Sequence, residues 1–148
     1  MDREHIEQMV MEVLREKLSL SEQRLIQKTS GGLIKALGPC YCFQEKDRLN
    51  TGNPSDKVYT KDFFSLSESP RLGCGVMEVD HTDFPWTLNY DEVDIVMEGR
   101  LTVSMGGEQL TAEKGEIIYI PKGSKIHFSS DTKARFYYVT YPADWADQ

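Results

Sequence analysis

The sequence predicts an all-β barrel or sandwich with an N-terminal α-helical extension, and three features support that expectation. From residue 57 onward, short apolar-rich segments follow one another at close spacing, separated by Gly, Pro and Ser turns and without helical crossovers. Ahead of them, Ile6, Met9, Val10, Val13, Leu14 and Leu18 fall on one stripe at helical spacing. Between the two regimes, Asn50, Thr51, Gly52, Asn53, Pro54, Ser55 and Asp56 form a polar linker with no apolar anchor. The chain therefore reads as a helical extension at 1–30, a connecting segment at 31–56 and a β domain at 57–148.

At 148 residues the chain has room for one domain and a small appendage. A domain of this size buries roughly 68–70% of its unfolded surface, so it needs no staples. The three cysteines, Cys40, Cys42 and Cys74, contain no Cys-x-x-Cys pair, which indicates neither a disulfide framework nor a zinc ribbon and suits a reducing cytoplasm. The start has no apolar leader, and no run approaches the ~20 apolar residues that span a bilayer. A net charge of −7 argues against nucleic acid and anionic membrane as partners, because both reward clustered Lys and Arg. The expected partner is a small molecule or another protein.

Taken in order, the first helix carries its apolar stripe opposite a charged face. That stripe packs on the domain or on a second copy, or else docks on a partner surface. Ser19 or Ser21 would cap a second short helix reaching about Gln27, before Ser30, Gly31 and Gly32 break the pattern. The run Leu33, Ile34, Lys35, Ala36, Leu37 fits a short strand or a turn of helix. Strands are expected at 57–64, 73–79, 87–98, 101–105, 109–112, 116–120, 125–128 and 134–141. The turns between them are marked by Gly106-Gly107, Lys114-Gly115, Pro121-Lys122-Gly123 and Ser130-Asp131-Thr132. Pro142, Ala143, Asp144 and Trp145 end the last strand.

The chemistry concentrates in residues 72–99, which hold Glu78, Asp80, Asp83, Asp91, Glu92, Asp94 and Glu98 without one Lys or Arg. Within that window Glu92 is followed by six residues and Gly99, and 15 residues later Gly115-x5-Pro121-x-Gly123 follows. The two patterns and their spacing resemble the first and second cupin motifs. More narrowly, Asp83-Phe84-Pro85-Trp86-Thr87-Leu88-Asn89-Tyr90-Asp91-Glu92, Ile120-Pro121-Lys122-Gly123-Ser124 and the closing Tyr141-Pro142-Ala143-Asp144-Trp145 resemble the EutQ family of ethanolamine utilisation proteins. The resemblance covers residues from Val58 to the end of the chain and implies a cupin jelly-roll barrel.

The departures from the general cupin pattern are informative. Metal-binding cupins carry two histidines shortly before the glutamate, where this chain has Pro85 and Thr87, or Trp86 and Leu88 in the alternative spacing. The second motif's histidine position holds Ile126, and His127, one residue late, points to the opposite face of a strand. Glu92 alone does not supply the three or more ligands a transition-metal site needs. The expectation is no tightly bound transition metal and no metal residues, with His5 and His81 isolated in sequence.

Alternation sets Phe84, Trp86, Leu88, Tyr90, Glu92 and Asp94 on one phase and Val93, Ile95 and Met97 on the other. The cupin resemblance implies that Glu92 faces the barrel interior, and Asp94 then shares that face. Two close carboxylates raise one member's pKa and can act as an acid and base pair, so Glu92 and Asp94 are the catalytic candidates. Phe84, Trp86, Tyr90 and Tyr138 are the expected ligand-facing aromatics, and carboxylates below aromatic faces also suit an organic cation such as ethanolamine. In the competing arrangement the carboxylates lie on a solvated face and Val93, Ile95 and Met97 form the core. Lys125 would steady a carboxylate or phosphate if it lines the mouth, whereas a solvated turn is the other reading of Lys122 and Lys125. Cys74 reads as a small buried hydrophobe.

With Glu92 inward, the opposite-phase apolar residues need a cover, which makes a homodimer an expectation. The EutQ resemblance implies ethanolamine catabolism in a bacterial microcompartment and acetate kinase activity, converting ATP and acetate to ADP and acetyl phosphate. No Gly-x4-Gly-Lys-Ser/Thr loop is present, and an acidic segment repels ATP unless Mg²⁺ accompanies the nucleotide. The alternative function is a non-catalytic, metal-free cupin that binds a small metabolite and docks on microcompartment shell or ethanolamine-pathway enzymes.

Overall fold

The computed structural model describes residues 2–17 and 25–148. Leu18 of the helical stripe and the two candidate capping residues, Ser19 and Ser21, lie outside the described residues. The chain divides into two compact units, Met1–Phe43 and Gln44–Gln148.

In the first unit, helix α1 spans Arg3–Lys17. Asp2 Oδ1 accepts the His5 backbone N–H at 2.8 Å, satisfying one of the donors left free at a helix start. Arg3 and Glu7 pair one turn apart at 2.9 Å. Of the apolar stripe, Ile6, Met9, Val10 and Val13 are each about half exposed. The expected second helix gives way at its end to strand β1, Ile26–Lys28, which pairs antiparallel with β2, Ile34–Ala36. Helix propensity loses there to a hairpin partner: Gly32 takes the positive φ of 94° that the turn requires, and Thr29 and Leu33 close it. The strand reading of residues 33–37 is the one the structure adopts.

The second unit is an antiparallel jelly-roll barrel. Its strands are β3 (Val58–Asp62), β4 (Gly73–Thr87), β5 (Asp91–Glu98), β6 (Leu101–Met105), β7 (Glu108–Ala112), β8 (Ile117–Ile120) and β9 (Lys125–Tyr141). The sheet order is β3-β4-β9-β5-β8, with β6 on β9 and β7 on β6. The polar linker belongs to this unit and is ordered by side chains. Arg48 reaches the Asp56 carbonyl at 2.7 Å and the Tyr59 hydroxyl at 2.9 Å, and Leu49 N–H meets Val58 O at 2.9 Å.

Two expected breaks are absent. β4 runs on past Val79 through a bulge at Asp80/Thr82, where His81 has φ 45°, and β9 runs through the Ser130-Asp131-Thr132 signal as one strand. The two irregularities face each other in the ladder, so both long strands bend together and remain paired. Along its length β9 changes partner, pairing β6 at Ser129, Phe128 and His127 and β5 at Arg135 to Tyr141. A turn at 88–90 instead interrupts the expected 87–98 strand, so β5 begins at Asp91. The buried cluster between the sheet faces contains Val79, Phe84, Leu88, Val96, Leu101, Phe128 and Phe136, each side chain contributing roughly 1.5–3 kcal/mol by leaving water.

Candidate active site

Strand β5 alternates half-buried and buried residues, so Glu92, Asp94 and Val96 point inward while Val93, Ile95 and Met97 point out. Glu92 is 4% exposed and Asp94 is fully buried, which disposes of the solvated-face arrangement. In the ladder Glu92 lies opposite Thr140 and Asp94 opposite Tyr138 on β9, so these four side chains share the inner face. Glycines on the next strand leave room for them, Gly73 facing Thr140 and Gly75 facing Tyr138. A Cβ at Gly75 would collide with the Tyr138 hydroxyl and the Lys61 carbonyl.

Among the described residues no amide, cationic or hydroxyl donor satisfies Glu92 Oε1, either carboxyl oxygen of Asp94 or Thr140 Oγ1, and the two carboxyls are close enough to hydrogen-bond each other once one is protonated. Unpaired buried oxygens are costly and native proteins hold few of them. Burial raises the Glu92 carboxyl to about 7, against the lowering influence of Asp94 and Tyr90. Burial also pushes Asp94 well above the ordinary carboxylate range, and the neighbouring Glu92 pushes it further. The pair as a unit therefore holds a proton more tightly than two ordinary carboxyls would, because burial and their mutual repulsion both disfavour the doubly ionised form.

Aromatic rings wall this pair. Trp86 Nε1 donates to Tyr90 Oη at 2.8 Å, and burial followed by the Glu92 charge raises the Tyr90 phenol. Tyr138 Oη donates to Asp62 Oδ1 at 2.5 Å and accepts from Thr60 Oγ1 at 3.1 Å. Trp145 Nε1 donates to the same Asp62 oxygen at 3.0 Å. The Trp145 ring stands 6.4, 6.0 and 5.9 Å from the rings of Trp86, Tyr90 and Tyr138.

The structure thus brings together Glu92, Asp94, Trp86, Tyr90 and Tyr138. Phe84 belongs to the hydrophobic core behind them, 5.7 Å from Phe128. Lys125 does not join the group: β9 alternation turns Ile126 inward and leaves Lys125 exposed beside Thr87. Cys74 is half-buried and in register with outward-facing Val139, not a core residue. Sequence reasoning missed Asp62, Thr140 and Trp145. The alternation Gly73-Cys74-Gly75 was the one available signal, since two glycines on one strand face mark space reserved for something opposite.

Among the described residues, no three His, Cys, Asp or Glu side chains converge on a point. His127 pairs with Asp83 at 2.6 Å, with both side chains exposed. The nitrogen-rich set of a metal cupin is not built here, so the residues present do not fit a transition metal of that type.

A family model described as ethanolamine utilisation protein EutQ matches residues 1–147. A protein named acetate kinase EutQ from Clostridioides difficile is 51% identical over 99% of this chain and 96% of its own length. Another of that name from Salmonella typhimurium is 37% identical over 95% of this chain, which spans 62% of that protein. The solved structure of the Clostridium difficile EutQ protein, 57% identical, matches with a TM-score of 0.81 over 83% of this chain and 90% of that one. A cupin superfamily protein from Desulfitobacterium hafniense shares the fold at 9% identity and a TM-score of 0.55, over 72% of this chain and 87% of that one.

Proposed function

This chain belongs to the EutQ family of ethanolamine utilisation proteins, and from that premise we propose that it is an acetate kinase whose chemistry centres on Glu92 and Asp94. The observation that carries the assignment is the buried carboxyl pair, of which Glu92 Oε1 and both Asp94 oxygens meet no amide, hydroxyl or cationic donor among the described residues. In the reaction an acetate oxygen attacks the γ-phosphorus of ATP, the bond from phosphorus to the ADP oxygen breaks, and acetyl phosphate and ADP result. Acetate is already ionised at neutral pH, so the protein has to position anions and offset their charge, not remove a proton.

The protonated member of the pair can donate a hydrogen bond to an anionic oxygen that an ionised acid would repel. Glu92, raised to about 7, adjusts its charge to what is bound. Trp86, Tyr90 and Tyr138 keep water away from both. Glu92 in its ionised form and Thr140 Oγ1 offer oxygen donors of the kind that would hold Mg²⁺ entering with the nucleotide, which would supply neutralisation of phosphate charge. We assign no phosphate contact to Lys125, because it lies on the outer face.

The test is acetyl phosphate formation by the purified chain beside Glu92→Gln. The expected loss is about 100-fold or more in kcat with the fold intact; full-rate turnover by the variant would sink the assignment. A folded wild-type protein that forms no acetyl phosphate would favour the metabolite-binding module. The complete burial of the pair supports that second reading. In either case the half-exposed apolar stripe of α1 fits docking on microcompartment shell or on pathway enzymes, and the largely apolar outer face of β5 and β8 fits a second copy of the chain.

A further inference from the structure

We infer that residues 142–148 are a plug over the carboxyl pair, and that this segment must leave its seat before a reactant meets Glu92 or Asp94. The inference rests on the assignment of that pair as the reactive centre. Four parts of the chain meet at this end of the barrel: Asp62 at the close of β3, the turn at 88–90, the turn at 121–124, and the segment after β9. Glu92 and Asp94 are the second and fourth residues of β5 counted from this end.

Three of those parts are fixed by the ladder or by each other. Leu88 N–H meets Ser124 O at 2.9 Å and Gly123 N–H meets Leu88 O at 2.7 Å, which locks the two turns together. Asp62 lies in register with Gly75. The fourth part differs. Its backbone bonds, Asp147 to Asp144 and Gln148 to Trp145, are internal to it, and strand pairing ends at Tyr141.

What holds it to the barrel is a wedge. The Trp145 ring, 8% exposed, fills the space between Trp86, Tyr90 and Tyr138. Its N–H rests on Asp62, an exposed carboxylate for which water can substitute as donor. Asn89 Nδ2 donates to the Gln148 carbonyl at 3.3 Å. Ala143 settles over bare Gly73, where a Cβ would stand 3.1 Å from the Ala143 carbonyl oxygen. A segment outside the ladder opens more readily than the strands it covers. Reactive groups buried behind one such segment, beside two turns that are bonded to each other, have the layout of a gated site.

Access to Glu92 can be read without ATP or acetate, by carbodiimide coupling of glycinamide with the labelled residues located by mass spectrometry. In wild type, Glu92 is expected to label far more slowly than exposed Glu113. In Trp145→Ala, Glu92 labelling should rise about tenfold or more while Glu113 is unchanged. A folded Trp145→Ala protein with an unchanged Glu92 rate overturns the plug, as does wild-type Glu92 labelling as fast as Glu113.

Hydrogen exchange on the wild-type protein covers a variant that does not fold. Exchange of the Trp145 indole N–H that ignores low urea, while the Val96 amide follows global unfolding, supports local opening. A common urea slope for the two overturns it. Since neither readout involves turnover, an opening plug on a chain without kinase activity would refute the catalytic assignment alone.

Discussion

A buried acid marks a site only when nothing nearby answers its charge, and two places in this barrel show the contrast. Glu78 is buried, and its carboxyl is raised by burial, but Lys133 at 3.6 Å and Arg135 at 3.9 Å pull it back. Among the described residues no such cation acts on Glu92 or Asp94, and Glu92 sits at about 7 instead of the ordinary 4.5. A raised carboxyl means the folded chain binds its proton more tightly than the unfolded chain. The associated stability is fully present below about pH 4.5 and is lost as pH rises through about 7. Urea unfolding of wild type at pH 5 and pH 8 should show that fall. Glu92→Gln should show a shallower one, retaining only the share that belongs to Asp94, so the variant is the more stable protein at pH 8. Parallel profiles for the two proteins would mean that Glu92 is not the buried titrating group.

The elements differ in what they need from their surroundings. α1 closes its own hydrogen bonds and is capped by its own Asp2, so it keeps its apolar stripe available for a partner. Removing residues 1–30 should therefore leave the barrel folded but abolish recruitment. In cells making microcompartments, a fluorescent fusion of the full chain is expected in puncta and the truncated fusion spread evenly; puncta in both would refute docking through this helix. The same dependence on surroundings decides how much was legible in the sequence. Strands β3 and β6 to β8 were readable within a residue or two because alternation and glycine turns coincide there, as at Gly106 and Gly107 with φ of 61° and 82°. The breaks assigned within β4 and β9 were misread because Ser130, Asp131 and Thr132 are turn formers, yet they fall where the two strands bend together and stay paired. The hairpin of β1 and β2 was half seen, since a strand of three residues carries too little periodicity to outweigh helix propensity. In the site, the inward setting of Glu92 followed from the cupin resemblance, and Asp94 followed from alternation along the same strand. Asp62, Thr140 and Trp145 did not, because Thr140 meets Glu92 only through strand register, and Asp62 meets Tyr138 and Trp145 across 76 and 83 positions of sequence.

For the molecule as a whole, turning Glu92 and Asp94 inward obliges the other face of the same strand to be apolar and outside. Val93 and Ile95 on β5 lie beside Tyr119 and Ile117 on β8, with Val139 and Tyr137 on the opposite flank. Ile117 and Tyr119 are 64% and 62% exposed, and β8 is the last strand of the sheet path. The patch is apolar apart from Asp91 at its edge, which accepts a hydrogen bond from the Tyr119 hydroxyl at 3.1 Å. The bulk of the chain, at net charge −7, disfavours self-association through its polar faces. A twofold axis through the patch would set each apolar row against its own copy and bury what is now open to water. The expected state is a dimer in sedimentation equilibrium at micromolar concentration. Ile117→Asp together with Tyr119→Asp should yield a folded monomer, since placing two carboxylates per subunit across the axis costs both burial and repulsion. The wild-type chain sedimenting as a monomer at those concentrations, or the double variant sedimenting as an unchanged dimer, would move the interface elsewhere. The inner site would be untouched by that outcome, because Glu92 and Asp94 face away from the patch, and acetyl phosphate formation by a monomeric variant would show that each barrel works alone.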